Sequence, residues 1–237
     1  MFSLSQSIDV EAIARAFRLN GRVEIYDFLG AGEAEILRTH LLERDDWTLV
    51  LNAGEQVYEI PRSEFEHLSE TQRSELERRV MSAARSGFQY RYESIRVADD
   101  DAARQSNGTI LDQFIRFMSS KTVLELLARI IDRQGVDFAD GQATAYSPGH
   151  FLTSHDDDVT GKGRHAAYVL GLAPQWRAEW GGLLMFHGED GNIAEAFTPA
   201  MGALRLFSVP MLHSVSYVTP MAPEPRLSIT GWLRSRL

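Results

Sequence analysis

The chain has 237 residues, 44% of them hydrophobic and 10% aromatic, with a formal net charge of −9. That is enough apolar material for a folded domain with a sizeable core, and it excludes a disordered chain. The acidic balance argues against non-specific nucleic-acid binding, which rests on basic patches; with no cysteine there is no disulfide framework and no thiolate catalyst or ligand.

A cysteine-free chain fits a reducing, cytoplasmic setting. Met1-Phe2-Ser3-Leu4 lacks a basic region followed by a long apolar run, so no secretory leader is expected. No stretch approaches the roughly 18 apolar residues of a membrane helix.

Residues 8–19 carry Val10, Ile13, Ala14 and Phe17 at helical spacing, and Asn20-Gly21 ends that helix. Val23 to Phe28 reads as a strand, 32–43 as a second helix and Trp47 to Leu51 as a short strand. Residues 69–85 form a charged amphipathic helix whose Ser69 and Gln72 have capping-box spacing. Phe88 to Val97 alternates as a strand does. The acidic, polar run 98–108 reads as a surface loop, with a lid over a site as the alternative. Two scaffold helices follow, at 109–118 and 120–132.

From Val136 the character changes to short β-rich runs at 138–146, 165–172, 182–187, 193–197, 203–209, 213–218 and 226–234. Turn residues separate them, including the hairpin signal Glu189-Asp190-Gly191-Asn192. Many short strands at this spacing suggest a sandwich or jelly roll. The expected class is α+β, a single domain over 1–237. Residues 1–135 would be a mostly helical support, and 136–237 a double-stranded β-helix core carrying a metal at its open end.

The chemistry concentrates in Ser154-His155-Asp156-Asp157-Asp158, His213 and Arg226. On an extended segment, His155 and Asp157 share a face by the two-residue alternation, while Asp156 points away. With His213 they make two imidazoles and one carboxylate, the facial triad of non-haem Fe(II) sites. Arg226, in Arg226-Leu227-Ser228-Ile229-Thr230-Gly231-Trp232, offers a planar fork for a carboxylate, with Ser228 on the same face. An isolated His-x-Asp is common by chance; the ordered set carries the argument. Trp180 and Trp232 read as packing, and His150, His165 and His187 have no spacing to recommend them.

The run Tyr146 to Asp157, then Trp180-Gly181-Gly182-Leu183-Leu184, His213-Ser214-Val215 and Arg226 to Trp232, resembles the prolyl-hydroxylase branch of the 2-oxoglutarate/Fe(II) oxygenases. Within that branch it is most like the ribosomal prolyl 3-hydroxylases. The resemblance covers about residues 140–235 and is weak over 1–135. It implies Fe(II) on His155, Asp157 and His213, with 2-oxoglutarate as cosubstrate, O2 as oxidant and ascorbate in support. Arg226 and Ser228 would hold the distal carboxylate. Tyr146 would stand near the cosubstrate, or simply be a core aromatic. The implied reaction hydroxylates an amino-acid side chain, a prolyl residue in a protein first, releasing succinate and CO2. A free amino acid, another small molecule or a non-catalytic module binding metal and 2-oxoglutarate stay open, as does the oligomeric state. Many prolyl 4-hydroxylases place Lys where Arg226 stands, which leaves regiochemistry open. Related halogenases lack the carboxylate, so Asp157 favours hydroxylation.

Overall fold

The computed structural model describes residues 2–54 and 56–236. The chain begins with α1 (Val10–Asn20), whose Asp9 side chain accepts from the Ala12 amide and whose end is closed by Gly21 in the left-handed region. Next come β1 (Arg22–Ile25), α2 (Glu33–Leu42), β2 (Thr48–Ala53) and β3 (Gln56–Pro61). The short α3 (Arg62–Glu66) leads into α4 (Glu70–Ala84), where the Ser69/Gln72 capping box forms as expected. After β4 (Tyr90–Arg96) come α5 (Asp101–Asn107), α6 (Ile110–Met118) and α7 (Lys121–Ile131).

The remainder is strands apart from one 3-10 turn (Ala178–Trp180): β5 (Phe138–Ala139), β6 (Gln142–Tyr146), β7 (Phe151–His155), β8 (Arg164–Gly171), β9 (Leu184–His187), β10 (Ile193–Phe197), β11 (Leu204–Ser208), β12 (His213–Val215) and β13 (Arg226–Arg234). The Glu189–Asn192 signal marks the turn joining the antiparallel pair β9 and β10. Among the described residues no helix is long and apolar enough to cross a membrane.

One curled, thirteen-stranded sheet runs in the order β1-β11-β8-β13-β6-β4-β7-β12-β9-β10, with β2 on β4, β3 on β2 and β5 on β13. Every pairing is antiparallel. Within it, β11-β8-β13-β6 and β7-β12-β9-β10 are the two four-stranded faces of a double-stranded β-helix. The outer side of the first face is covered by helices. Leu37 and Leu41 of α2, Leu111, Phe114, Ile115 and Met118 of α6, and Leu127 and Ile130 of α7 share one core with Tyr168, Leu170, Leu204, Leu206, Ile229 and Leu233. Burying one large aliphatic or aromatic side chain is worth about 1.5–3 kcal/mol, so this cluster fixes the sheet's curvature from behind.

Two expectations change, and one part of the chain does more than expected. Residues 1–135 hold α1 to α7 but also supply β1 to β4, and β4 sits in the middle of the sheet between β6 and β7. The run 98–108 is not a loop. Asp100 caps α5 through the Ala103 amide, Gly108 closes it, and the buried Arg104 donates to the carbonyls of Ala98 and Asp99. The acidic residues that suggested a solvated loop are the helix's N-terminal cap and first turn, where negative charge meets the helix dipole. None of 98–108 lines the cleft described below, so the lid alternative fails. Finally, β7 stops at His155, so the His-x-Asp segment does not continue as a strand through Asp157.

Candidate metal and carboxylate site

A cleft of about 380 Å3 opens between the two faces. Its deeper polar features come from two cross-strand pairs. On β7 and β12, His155 and His213 are register partners, their rings 4.1 Å apart. On β6 and β13, Tyr146 and Arg226 are register partners, and the guanidinium carbon sits 5.1 Å from the Tyr146 ring centre. Directly opposed residues on adjacent strands place their side chains together. The register of two hairpin-like pairs therefore builds the site.

Asp157 joins the two imidazoles by a different route from the one the sequence suggested. It has φ of +65°, in the left-handed region, one of three non-glycine residues there among the described residues. Asp is among the few side chains that adopt it at moderate cost. Before it, the Asp156 carboxylate accepts from the Asp158 amide in a tight local turn. The reversal brings Asp157 Oδ1 to 3.5 Å from His155 Nε2 and Oδ2 to 3.5 Å from His213 Nε2. Strand alternation was the wrong reason for choosing Asp157; a turn puts it there. Asp156 and Asp158 are exposed at the rim.

The imidazoles are oriented for ligation. His155 Nδ1 lies 3.1 Å from the Thr153 carbonyl and His213 Nδ1 2.8 Å from the Met211 carbonyl. A carbonyl only accepts, so each Nδ1 carries the hydrogen and each Nε2 presents its lone pair inward. Burial lowers the His213 pKa to about 4, with His155 adding to the shift. Burial pushes the Asp157 carboxyl up, yet its contacts with His155 and His213 outweigh that and leave it below the usual value. A neutral His213 imidazole and an ionised Asp157 carboxylate at neutral pH suit a divalent cation. One ligand atom from each of His155, Asp157 and His213 lies within 4.8 Å of the others. These residues fit a metal held on one face.

Arg226 fits a carboxylate. It is 3% exposed, and among the described residues no Asp or Glu pairs with it. Its Nε is buried without a partner. Burial lowers its pKa to about 10, which still leaves it charged at neutral pH. A buried, unpaired cation is costly unless something anionic meets it, and the cleft is where an anion can reach it. Tyr146 both lines this cleft and packs with Val215, Val218 and Ala222, so its two readings coincide; burial raises its pKa, keeping the phenol protonated. Ser228 is fully buried, does not line the cleft, and shares a 2.8 Å hydrogen bond with Thr144 Oγ1, which does. The structure thus brings His155, Asp157, His213, Arg226 and Tyr146 to one cleft, with Ser228 behind its wall.

Sequence reasoning missed a whole wall. Phe88, Tyr90 and Tyr92, at the start of β4, line the cleft; Phe88 stands 5.5 Å from His155, ring to ring, and Tyr92 stacks on Tyr146 at 5.3 Å. The alternation of Phe88, Tyr90 and Tyr92 showed an aromatic strand face, but not which cavity it would face. Trp232, read as packing, also lines the cleft, its indole N–H buried without a partner. Trp180 packs on Trp176 at 5.4 Å and stays outside. His187 bonds the Ser214 hydroxyl, and His150 is buried against the Ala145 carbonyl; neither reaches the cleft.

Residues 141–234 match the family model described as the 2OG-Fe(II) oxygenase superfamily. The matched oxygenase region contains all three candidate metal ligands and Arg226. A prolyl 3-hydroxylase, OGFOD1 of Xenopus laevis, is 31% identical over 130 residues, 52% of this chain and 23% of that protein. This chain therefore matches less than a quarter of the length of that relative. A Pseudomonas putida prolyl-4-hydroxylase superposes with a TM-score of 0.62 at 20% identity, covering 96% of this chain and all of that one. A prolyl hydroxylase from Trichoplax adhaerens, solved with a hypoxia-inducible-factor peptide, gives 0.59 at 17% identity, covering 95% and 89%. Both share the fold of this chain.

Proposed function

We propose that this chain is an Fe(II)- and 2-oxoglutarate-dependent dioxygenase that hydroxylates a prolyl residue in a protein. The observation that carries the reading is Arg226, a fully buried guanidinium with no anionic partner among the described residues, in the same cleft as an inward-facing His-Asp-His set. His155, Asp157 and His213 would hold Fe(II), which supplies the coupled activation of O2 and oxidative decarboxylation of 2-oxoglutarate to succinate and CO2. Arg226 orients the cosubstrate by pairing two-pronged with its distal carboxylate. The protonated Tyr146 and the Thr144 hydroxyl offer hydrogen bonds beside it, and Ser228 fixes the Thr144 rotamer from behind. Ala167, Val169, Leu184 and Phe207 keep one wall of the cleft apolar and dry, which strengthens each polar contact inside.

The substrate class rests on likeness to the prolyl hydroxylases, one of them bound to a peptide, and on the open, aromatic-rimmed mouth at Phe88 and Tyr90. A cytoplasmic setting is part of the proposal, on the cysteine-free sequence. The test is incubation with Fe(II), ascorbate and 2-oxoglutarate against a cell lysate, followed by a mass search for the gain of one oxygen and a succinate measurement. Hydroxylated prolyl peptides formed by wild type and not by His213→Ala support it. Succinate formation that is the same in both would end it.

A further inference from the structure

The left-handed turn at Asp157 raises a question that the ligands themselves do not answer: what holds it. A non-glycine residue in this region is strained and persists only where neighbours over-determine it. The neighbour here is Arg164, at the start of β8. Its Nη1 donates to the Asp157 carbonyl at 2.9 Å and lies 3.8 Å from the Asp157 carboxylate. The guanidinium carbon sits over the Trp232 ring, 3.6 Å from its centre. Trp232 is itself fixed, because its backbone amide donates to Asp140 Oδ1 at 2.7 Å. The Arg164 side chain is only 15% exposed, and its Nε is buried without a partner.

We infer that Arg164 is a positioning residue of the metal site, clamping the Asp157 turn from its backbone side so that the carboxylate faces both imidazoles. The clamp acts at two atoms of one residue. The bond to the carbonyl fixes the backbone, and the guanidinium 3.8 Å from the carboxylate sets the direction of the side chain. Lys cannot do both: it has no planar fork to stack on Trp232 while donating sideways. Outer partners of this kind typically change metal affinity about 10–100-fold when removed.

The inference rests on the metal site proposed above, and Co(II) titration separates the two. Co(II) binding to the full chain is followed anaerobically by its visible absorption, beside thermal denaturation of the metal-free protein. Wild type is expected to give a d–d spectrum that His213→Ala lacks; if wild type gives none, the metal-site reading itself fails. Arg164→Met keeps an unbranched side chain against Trp232 but removes every donor. It is expected to bind Co(II) about 10–100-fold more weakly, with an altered band shape and a metal-free melting point near that of wild type. Arg164→Lys should fall between. If Arg164→Met matches wild type in affinity and spectrum, Arg164 only packs on Trp232 and the inference is overturned. If Arg164→Met fails to fold, Arg164→Lys decides: unchanged affinity and spectrum overturn the inference, and a weakened, altered site supports it.

Discussion

Replacing Arg226 by Met should have two effects of opposite sign. The guanidinium is 3% exposed and burial lowers its pKa well below the ordinary value, to about 10. At about 1.4 kcal/mol per pH unit, holding that cation in the metal-free fold costs about 3 kcal/mol at neutral pH. Arg226→Met removes the charge and keeps much of the volume, so the metal-free variant should be more stable by up to about that amount. For a chain of this size, roughly 2–4 °C of melting temperature accompany each kcal/mol. The same substitution removes the partner of the cosubstrate carboxylate. Truncating one side of a buried charge pair costs about 2–5 kcal/mol, which is roughly 30-fold to several thousandfold in affinity. Denaturant melts of the metal-free proteins measure the first effect. Anaerobic titration of 2-oxoglutarate into Fe(II)-loaded protein, read by its metal-to-ligand absorption band, measures the second. Iron binding should survive in both. Unchanged 2-oxoglutarate affinity would remove Arg226 from the site, and a metal-free variant less stable than wild type would refute the account of an uncompensated buried charge.

Asp157→Ala should lose most metal affinity while Asp156→Ala loses little, because Asp156 spends its carboxylate on the Asp158 amide; a Co(II) titration in which the two rank the other way would contradict the geometry. Gly182→Ala should weaken 2-oxoglutarate binding without touching the ligands, since a methyl there would lie 3.0 Å from Arg226 Cδ at a φ of +65°. The left-handed backbone alone costs about 1–2 kcal/mol, so denaturant melts should show that loss beside the weaker titration. His150 is 6% exposed, with its pKa lowered to about 3 by burial. The fold holds it neutral while the unfolded chain protonates near 6.5. Its contribution is therefore complete above about pH 6.5 and is lost as pH falls toward 3, at up to about 1.4 kcal/mol per pH unit. His150→Gln should flatten the acid slope of metal-free stability measured between pH 4 and 6.5, and an unchanged slope would show that His150 is not responsible.

What the sequence discloses here follows from what each residue carries by itself. Imidazole, carboxylate and guanidinium announce their chemistry by type, so His155, Asp157, His213 and Arg226 stand out in order along the chain. The helices 10–20, 70–84, 110–118 and 121–131 were legible for a similar reason: their periodicity and caps are local. Strand partners are not local. Nothing within Phe88 to Arg96 says that it will lie between β6 and β7, two strands that share one short connection. The aromatic wall was therefore invisible although its strand was expected. The pair β2 and β3 was half seen, because the outer strand β3 is exposed along most of its length and carries no buried face to mark it. Arg164 was missed because a lone arginine at a strand start looks like any solvated residue until Trp232 is beneath it. Asp157 was chosen on a mistaken backbone, since a two-residue spacing is compatible with a strand and with a reversal alike.

The position of β4 bears on where this protein can be cut. The family match begins at residue 141, so a boundary drawn by likeness alone would start an expression fragment there. Such a fragment would part β6 from β7, leave both with bare edges, and strip Tyr90 and Tyr92 from the mouth. Unpaired edges of that kind invite intermolecular pairing. The stretch matched by the family model is thus a poor guide to the smallest autonomous unit. Its keystone is a strand donated from the half of the chain that lies outside that match.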